Sequence, residues 1–208
     1  MWRCVGMAAN AITLFRLFLT FIVIGLFRRN VYIDIACIVT ILIIFILDSV
    51  DGIVARKQIQ TSTFGAVFDI DADRIVENVF WIFFAAMEER LIPFWLPIAV
   101  VTRGFLTDGV RSIALTEGKT AFEMSSAAWS RALTSSRFSR GLYGLTKMLT
   151  FIFLPATLVL KDIYPNIQIV DTFSLVSVII AYIAVAMCII RGIPVLVDGW
   201  RYIKPEPE

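Results

Sequence analysis

Histidine does not occur anywhere in the 208 residues. Its absence removes the commonest general base, every serine–histidine pairing, and the imidazole ligand of zinc and related metal sites. Cysteine is scarce as well. Cys4, Cys37 and Cys188 are odd in number and far apart, so neither a disulfide framework nor a thiolate metal cluster is expected, and they read as small apolar residues in a packed bundle. An excess of one charge is also missing. Nineteen Lys and Arg against 17 Asp and Glu leave a net charge of +2, with no overall field to draw nucleic acid. Chemistry is left to carboxylates, Lys, Arg, Tyr and hydroxyls, and a bound metal would be a hard ion held by oxygen.

What the chain has in abundance is apolar sequence: 59% of residues are hydrophobic and the mean hydropathy is +0.82. A soluble domain is nearer half apolar, so this composition predicts an all-α integral membrane protein forming one domain over 1–208. Runs long enough to span a bilayer lie at about 10–27, 32–54, 64–87, 92–116, 141–160 and 169–193, a bundle of six transmembrane helices. The first run lacks a small-residue cleavage site before the second, so it reads as a retained span rather than a signal peptide. Arg28, Arg29, Arg90 and Lys161 fall at one set of ends, while the other collects Arg3, Arg56, Lys57, Arg111, Lys119 and most of the remaining cations. The positive-inside rule then places both termini, and the nearby aspartates, on the cytoplasmic side, in the inner membrane if the source is bacterial. Residues 117–140, the one long polar interval, read as a cytoplasmic loop or interfacial helix. Trp81, Trp95, Trp129 and Trp200 read as interfacial anchors or lipid-facing bulk.

Against that background the stretch "LDSVDGIVARKQIQTSTFGAVFDIDADR" (47–74) stands out, because it sets five aspartates at the junction of two apolar runs. Each carboxylate near a bilayer is costly unless it is paired, hydrated or bound to a cation. Asp48 and Asp51 are three apart and Asp69 and Asp73 four apart, so on helices each pair shares a face and four carboxylates can converge. Asp71 lies about 200° around the helix from Asp69 and should face elsewhere. Convergent carboxylates without histidine suit one or two divalent ions, Mg²⁺ or Mn²⁺, which keep positions open for phosphate oxygens. Gly52, Ala55 and Gly65 permit close approach of backbones or of a flat ligand, and Arg56 adds a positive fork suited to phosphate. Glu77, one turn beyond Asp73, either joins the acidic cluster or is a hydrogen-bonded packing residue; Arg74 either orients Asp73 or snorkels.

The frame Asp48-x-x-Asp51-Gly52-x-x-Ala55-Arg56, eight residues, Gly65-x-x-x-Asp69-x-x-x-Asp73 resembles the signature of the CDP-alcohol phosphotransferase family (class-I CDP-alcohol phosphatidyltransferases) at every specified position. The resemblance implies transfer of a phosphatidyl group from CDP-diacylglycerol, or a similar CDP-lipid, to an alcohol, with release of CMP. It implies that Asp48, Asp51 and Asp69 are metal ligands. Asp73 would take the proton of the attacking hydroxyl while also touching the second of two metal ions. It further implies that Gly52, Ala55 and Gly65 make room for the cytidine and its phosphates, that Arg56 faces the pyrophosphate, and that the protein could be a homodimer.

The acceptor is indicated less directly. Asn10, Thr13 and Arg16 resemble the opening of the first span in bacterial phosphatidylglycerophosphate synthases, as do Arg103, Arg111 and Gly118 in "TRGFLTDGVRSIALTEG" and Lys147 in "YGLTK". The segment "SSRFSRGLYGLTK" lacks that group's closely spaced lysine pair. Arg103, Arg111, Arg137, Arg140 and Lys147 lie inside or beside apolar runs, where cations are expensive unless they meet anions. A phosphorylated acceptor, above all glycerol 3-phosphate, would neutralise them. Inositol, inositol phosphate and serine stay open as alternatives. So does a different function, a divalent-cation transporter, although such a protein would place its acidic residues near the bilayer centre.

Overall fold

A computed structural model describes residues 2–57, 63–116 and 136–203, with side chains over 10–48, 67–110, 112, 136 and 138–199. All regular structure among the described residues is helical: α1 (Trp2–Leu26), α2 (Val31–Lys57), α3 (Thr63–Ala86), α4 (Trp95–Thr116), α5 (Arg137–Ile163) and α6 (Gln168–Ile203). Three of these are long and apolar enough to cross a membrane, over Val31–Asp48, Phe138–Ile163 and Gln168–Gly199, and α1 carries a shorter apolar stretch, Asn10–Leu26. Each of the six apolar runs has become a helix. α3 and α4 fall short of full apolarity because of the charges they carry, Asp69, Asp71, Asp73, Arg74 and Glu77 in one and Arg103, Asp108 and Arg111 in the other. The protein is an α-helical membrane protein.

Local chemistry sets several helix ends. Asn30 caps α2, its side-chain oxygen accepting from Ile33 N at 2.9 Å and its carbonyl from Asp34 N at 2.9 Å. Ser136 does the same for α5, accepting from Ser139 N on its hydroxyl and from Arg140 N on its carbonyl. Just after α1, Arg28 adopts a left-handed backbone (φ 70°), which is costly for a residue with a Cβ. The turn is held because Arg28 N donates to the buried Asp34 carboxylate at 2.7 Å.

The chain divides into two compact units, residues 1–91 with 151–177, and residues 92–150 with 178–208. In the first, α1 packs on α2 and α3. The inward stripe of α1 is Thr13, Arg16, Thr20 and Val23, all buried, whereas Leu14, Phe15, Phe18 and Phe21 are exposed. This polar-inside, apolar-outside order is what a lipid environment demands of a helix carrying a charge. Beneath it lies an aromatic core. Phe151 meets the rings of Phe45, Phe80, Trp81 and Phe84 at centroid distances of 5.8, 5.4, 5.1 and 6.2 Å. Trp81 is therefore core and not an interfacial anchor: it is 1% exposed, because its position on α3 turns it toward Phe151.

The Arg28 guanidinium gathers three carboxylates at the far end of α1. Its Nη2 lies 2.8 Å from Glu89, and its Nη1 donates to Asp162 and sits 3.9 Å from Asp34. Burial alone would lower the pKa of this guanidinium, but the hydrogen bond to Asp162 and the charges of Glu89, Asp162 and Asp34 outweigh it and raise the pKa. The ion pairs fasten the α1–α2 turn to the end of α5 and to the segment after α3.

In the second unit α4 and α6 run parallel. Trp95 meets Tyr182 at 5.6 Å between ring centroids, a Cβ on Gly192 would lie 2.8 Å from Arg103 Cγ, and one on Gly199 would lie 2.1 Å from Val110 Cγ1. Glycine at 192 and 199 is what lets these helices approach.

Phe151→Ala tests the core of the first unit. Lipid is as apolar as the ring, so the loss is chiefly the cavity, roughly 2 kcal/mol at about 24 cal/mol per Å³. The unfolding midpoint in detergent should fall accordingly, and an unchanged midpoint would remove Phe151 from its place as hub.

Candidate active site

The sequence places an inward-facing cation, Arg16, halfway along α1, two carboxylates one turn apart on α3, and a third on the second half of α2. Folding brings them together in the first unit. Arg16 Nη2 donates to Asp48 Oδ1 at 2.7 Å and to Asp73 Oδ1 at 2.8 Å, while Nη1 lies 3.9 Å from Asp69 Oδ1. Thr13, one turn earlier on α1, donates its hydroxyl to Asp69 Oδ1 at 3.3 Å. The burial is asymmetric. The Arg16 side chain is 3% exposed, whereas those of Asp48, Asp69 and Asp73 keep 37%, 44% and 41%. The guanidinium thus lies beneath the carboxylates, which stay open on their outer side.

This arrangement follows from spacing. Asp69 and Asp73 share the inward side of α3 because they are four apart, and Asp71 between them is exposed. Glu77, one further turn along, is buried at 5% exposure. The antiparallel course of α1 and α2 brings Asp48 level with Arg16 at one end and Asp34 level with Arg28 at the other. A hydroxyl and three carboxylates are oxygen donors of the kind a hard divalent ion takes. Among the described residues, no three such groups are already drawn together as an ion would draw them. Their oxygens close instead on the guanidinium.

Four other predicted residues of this site, Asp51, Gly52, Ala55 and Arg56, fall on α2 and a fifth, Gly65, on α3, but all lie outside the described side chains. Arg111 and Arg137 are likewise on α4 and α5 with side chains outside the described set.

The remaining cations collect in the second unit. Arg191 on α6 donates to Ser139 Oγ on α5, and its guanidinium carbon stands 5.7 Å from the Tyr143 ring centroid. Lys147, one turn along α5, brings its Nζ to 5.6 Å from the same ring. Arg103 lies along the backbone of Gly192, and both Arg103 and Arg140 are near enough to Arg191 to act on it electrostatically. The Arg103 Nε is buried with no hydrogen-bond partner among the described residues. Lys147 and Arg191 therefore flank one aromatic ring, with Arg103 and Arg140 near Arg191. Cations grouped in this way attract an anion.

Sequence reasoning found Arg103, Arg140 and Lys147 but missed Arg191 and Tyr143 as members. Arg191 was readable only as one more cation near the end of a span, and a tyrosine carries no charge to flag it. Thr13 and Arg16 were visible as marks of resemblance, and only the fold gives them a place, against the carboxylates.

No curated protein matches the chain. Residues 6–190 match the family described as CDP-alcohol phosphatidyltransferase, a stretch that contains the carboxylates, Arg16, Arg103, Arg140 and Lys147. With nearly the whole chain covered by that match, the protein belongs to the CDP-alcohol phosphatidyltransferase family, whose members transfer a phosphatidyl group between a CDP-linked substrate and an alcohol.

Proposed function

We propose that this protein transfers the phosphatidyl group of CDP-diacylglycerol to glycerol 3-phosphate, releasing CMP, at a divalent-metal site on the cytoplasmic side of the membrane. The observation that carries the reading is the convergence of Asp48 from α2 and of Asp69 and Asp73 from α3 about the Arg16 guanidinium, with all three carboxylates partly exposed. The family match supplies the reaction class. Asp51, in the same signature frame, completes the ligand set.

The metal, Mg²⁺ or Mn²⁺ and in our reading a pair, supplies charge neutralisation at the pyrophosphate when bound. Asp48, Asp51 and Asp69 would hold it. Gly52, Ala55 and Gly65 leave room for the nucleotide, and Arg56 faces its phosphates. Asp73 accepts the proton of the acceptor hydroxyl as that oxygen forms its bond to the phosphorus bearing the diacylglycerol. The bond from that phosphorus to the bridging oxygen breaks, and CMP leaves with the electron pair. The acceptor's own phosphate is held by Lys147, Arg103, Arg140 and Arg191, with Arg111 and Arg137 contributing from the same helices. Tyr143 fixes the two cations that flank its ring.

CMP release by purified protein given CDP-diacylglycerol and glycerol 3-phosphate checks the carboxylates. Asp48→Asn or Asp69→Asn removes a charged ligand, and release should fall at least about a hundredfold. Asp71→Asn, whose side chain faces away, should be close to wild type; equal damage there would contradict the assignment.

Asp73 is distinguished by its kinetics. Asp73→Asn should depress turnover far more than affinity for the CDP-lipid, since a base is lost while the other carboxylates remain. Equal loss of both would make Asp73 a ligand and not the base.

For the acceptor, Lys147→Ala or Arg191→Ala removes a charge-assisted contact of about 1.5–3 kcal/mol. The KM for glycerol 3-phosphate should rise roughly ten- to hundredfold, with the KM for CDP-diacylglycerol little changed. Efficient use of inositol or serine with glycerol 3-phosphate inert would overturn the choice of acceptor and leave the reaction class standing.

A further inference from the structure

Resting on the metal reading just given, we propose that Arg16 is an exchangeable counter-ion. It holds Asp48, Asp69 and Asp73 together while no divalent ion is bound, and it competes with that ion for the same oxygens. One guanidinium nitrogen, Nη2, takes an oxygen of Asp48 at 2.7 Å and an oxygen of Asp73 at 2.8 Å. Those two oxygens are therefore no further apart than the sum of the two distances, and Asp69 is drawn to the neighbouring nitrogen at 3.9 Å. Ionised carboxylates gathered so closely repel one another unless a cation lies among them. Without Arg16 the metal-free cluster would have to spread or take up protons.

A Mg²⁺ or Mn²⁺ ion needs oxygens at about 2.0–2.2 Å. Arg16 takes Oδ1 of both Asp48 and Asp73, so an ion that uses either of those oxygens has to draw it away from the guanidinium. The asymmetric burial makes exchange practicable. Arg16 is 3% exposed and approaches from inside the bundle, while the carboxylates are about two-fifths exposed on the outer side, the side from which an ion arrives. The carboxylates keep an exposed side and a second oxygen each, so a doubly charged ion can win the shared oxygens while the buried guanidinium stays beside the same carboxylates. The tether to α1 keeps the guanidinium close enough to return.

The test uses full-length protein in detergent without substrate, with free Mn²⁺ followed by its electron paramagnetic resonance signal and the metal-free protein followed by thermal unfolding. Arg16→Gln should bind Mn²⁺ about tenfold more tightly than wild type, melt at a lower temperature when metal-free, and recover when Mn²⁺ is added. Arg16→Lys, which keeps one charge but loses the fork, should fall between the two. An Arg16→Gln protein that folds only with Mn²⁺ would also support exchange, and if it folds under neither condition the Arg16→Lys affinity decides. Variants that bind Mn²⁺ no more tightly than wild type, or more weakly, would overturn exchange and make Arg16 an organiser of the bound state. A wild type that binds no Mn²⁺ would overturn the metal reading itself and the exchange with it.

Discussion

One buried guanidinium sets the terms for the first unit of this protein. Arg16 sits among apolar helices at 3% exposure, a position no cation can occupy without anions at hand. Asp48 comes from α2 and Asp69 and Asp73 from α3, so the charge that requires neutralising also fixes how α1 meets both neighbours. The constraint runs the other way as well. Carboxylates this close would not stay gathered without a positive charge between them, so each side of the pairing accounts for the other. Removing the carboxylates would leave an unmatched charge inside the bundle, and removing Arg16 would leave crowded anions.

The opposite end of the same helices repeats the device with different consequences. Arg28 binds Asp34, Glu89 and Asp162, but it lies in a turn, is itself about one-third exposed, and its ion pairs close one end of the unit. Between the two ionic ends sits the ring cluster about Phe151. The unit is polar at both ends and aromatic in the middle. The cation group around Tyr143 in the other unit is built differently, from cations on three helices with glycine at 192 giving Arg103 its room.

Much of this was legible in the sequence, for definite reasons. The helices were readable because apolar runs of this length have few alternatives, and the observed bounds stay near the predicted ones, although α1 begins at Trp2 and α6 continues to Ile203. The inward placement of Asp69 and Asp73, with Asp71 turned out, followed from the 100° step of a helix. What spacing could not supply was partnership between helices. Nothing in "NAITLFR" says that Arg16 will meet Asp48 thirty-two positions later, since that depends on how far α1 and α2 slide past each other. The same limit hid Arg28 with Asp162 and Arg191 with Ser139. Trp81 misled because tryptophan near a span reads as an interfacial anchor, whereas its phase on α3 turns it into the core.

We propose above that these carboxylates hold a divalent metal for phosphatidyl transfer. The most direct test follows label from CDP-diacylglycerol carrying ³²P in the lipid-bearing phosphate, with purified protein, glycerol 3-phosphate and Mg²⁺ or Mn²⁺. The account predicts that the label passes into a new phospholipid, that unlabelled CMP appears in equal amount, and that excess chelator stops both. Label recovered in the released nucleotide, or full transfer in the presence of chelator, would contradict it.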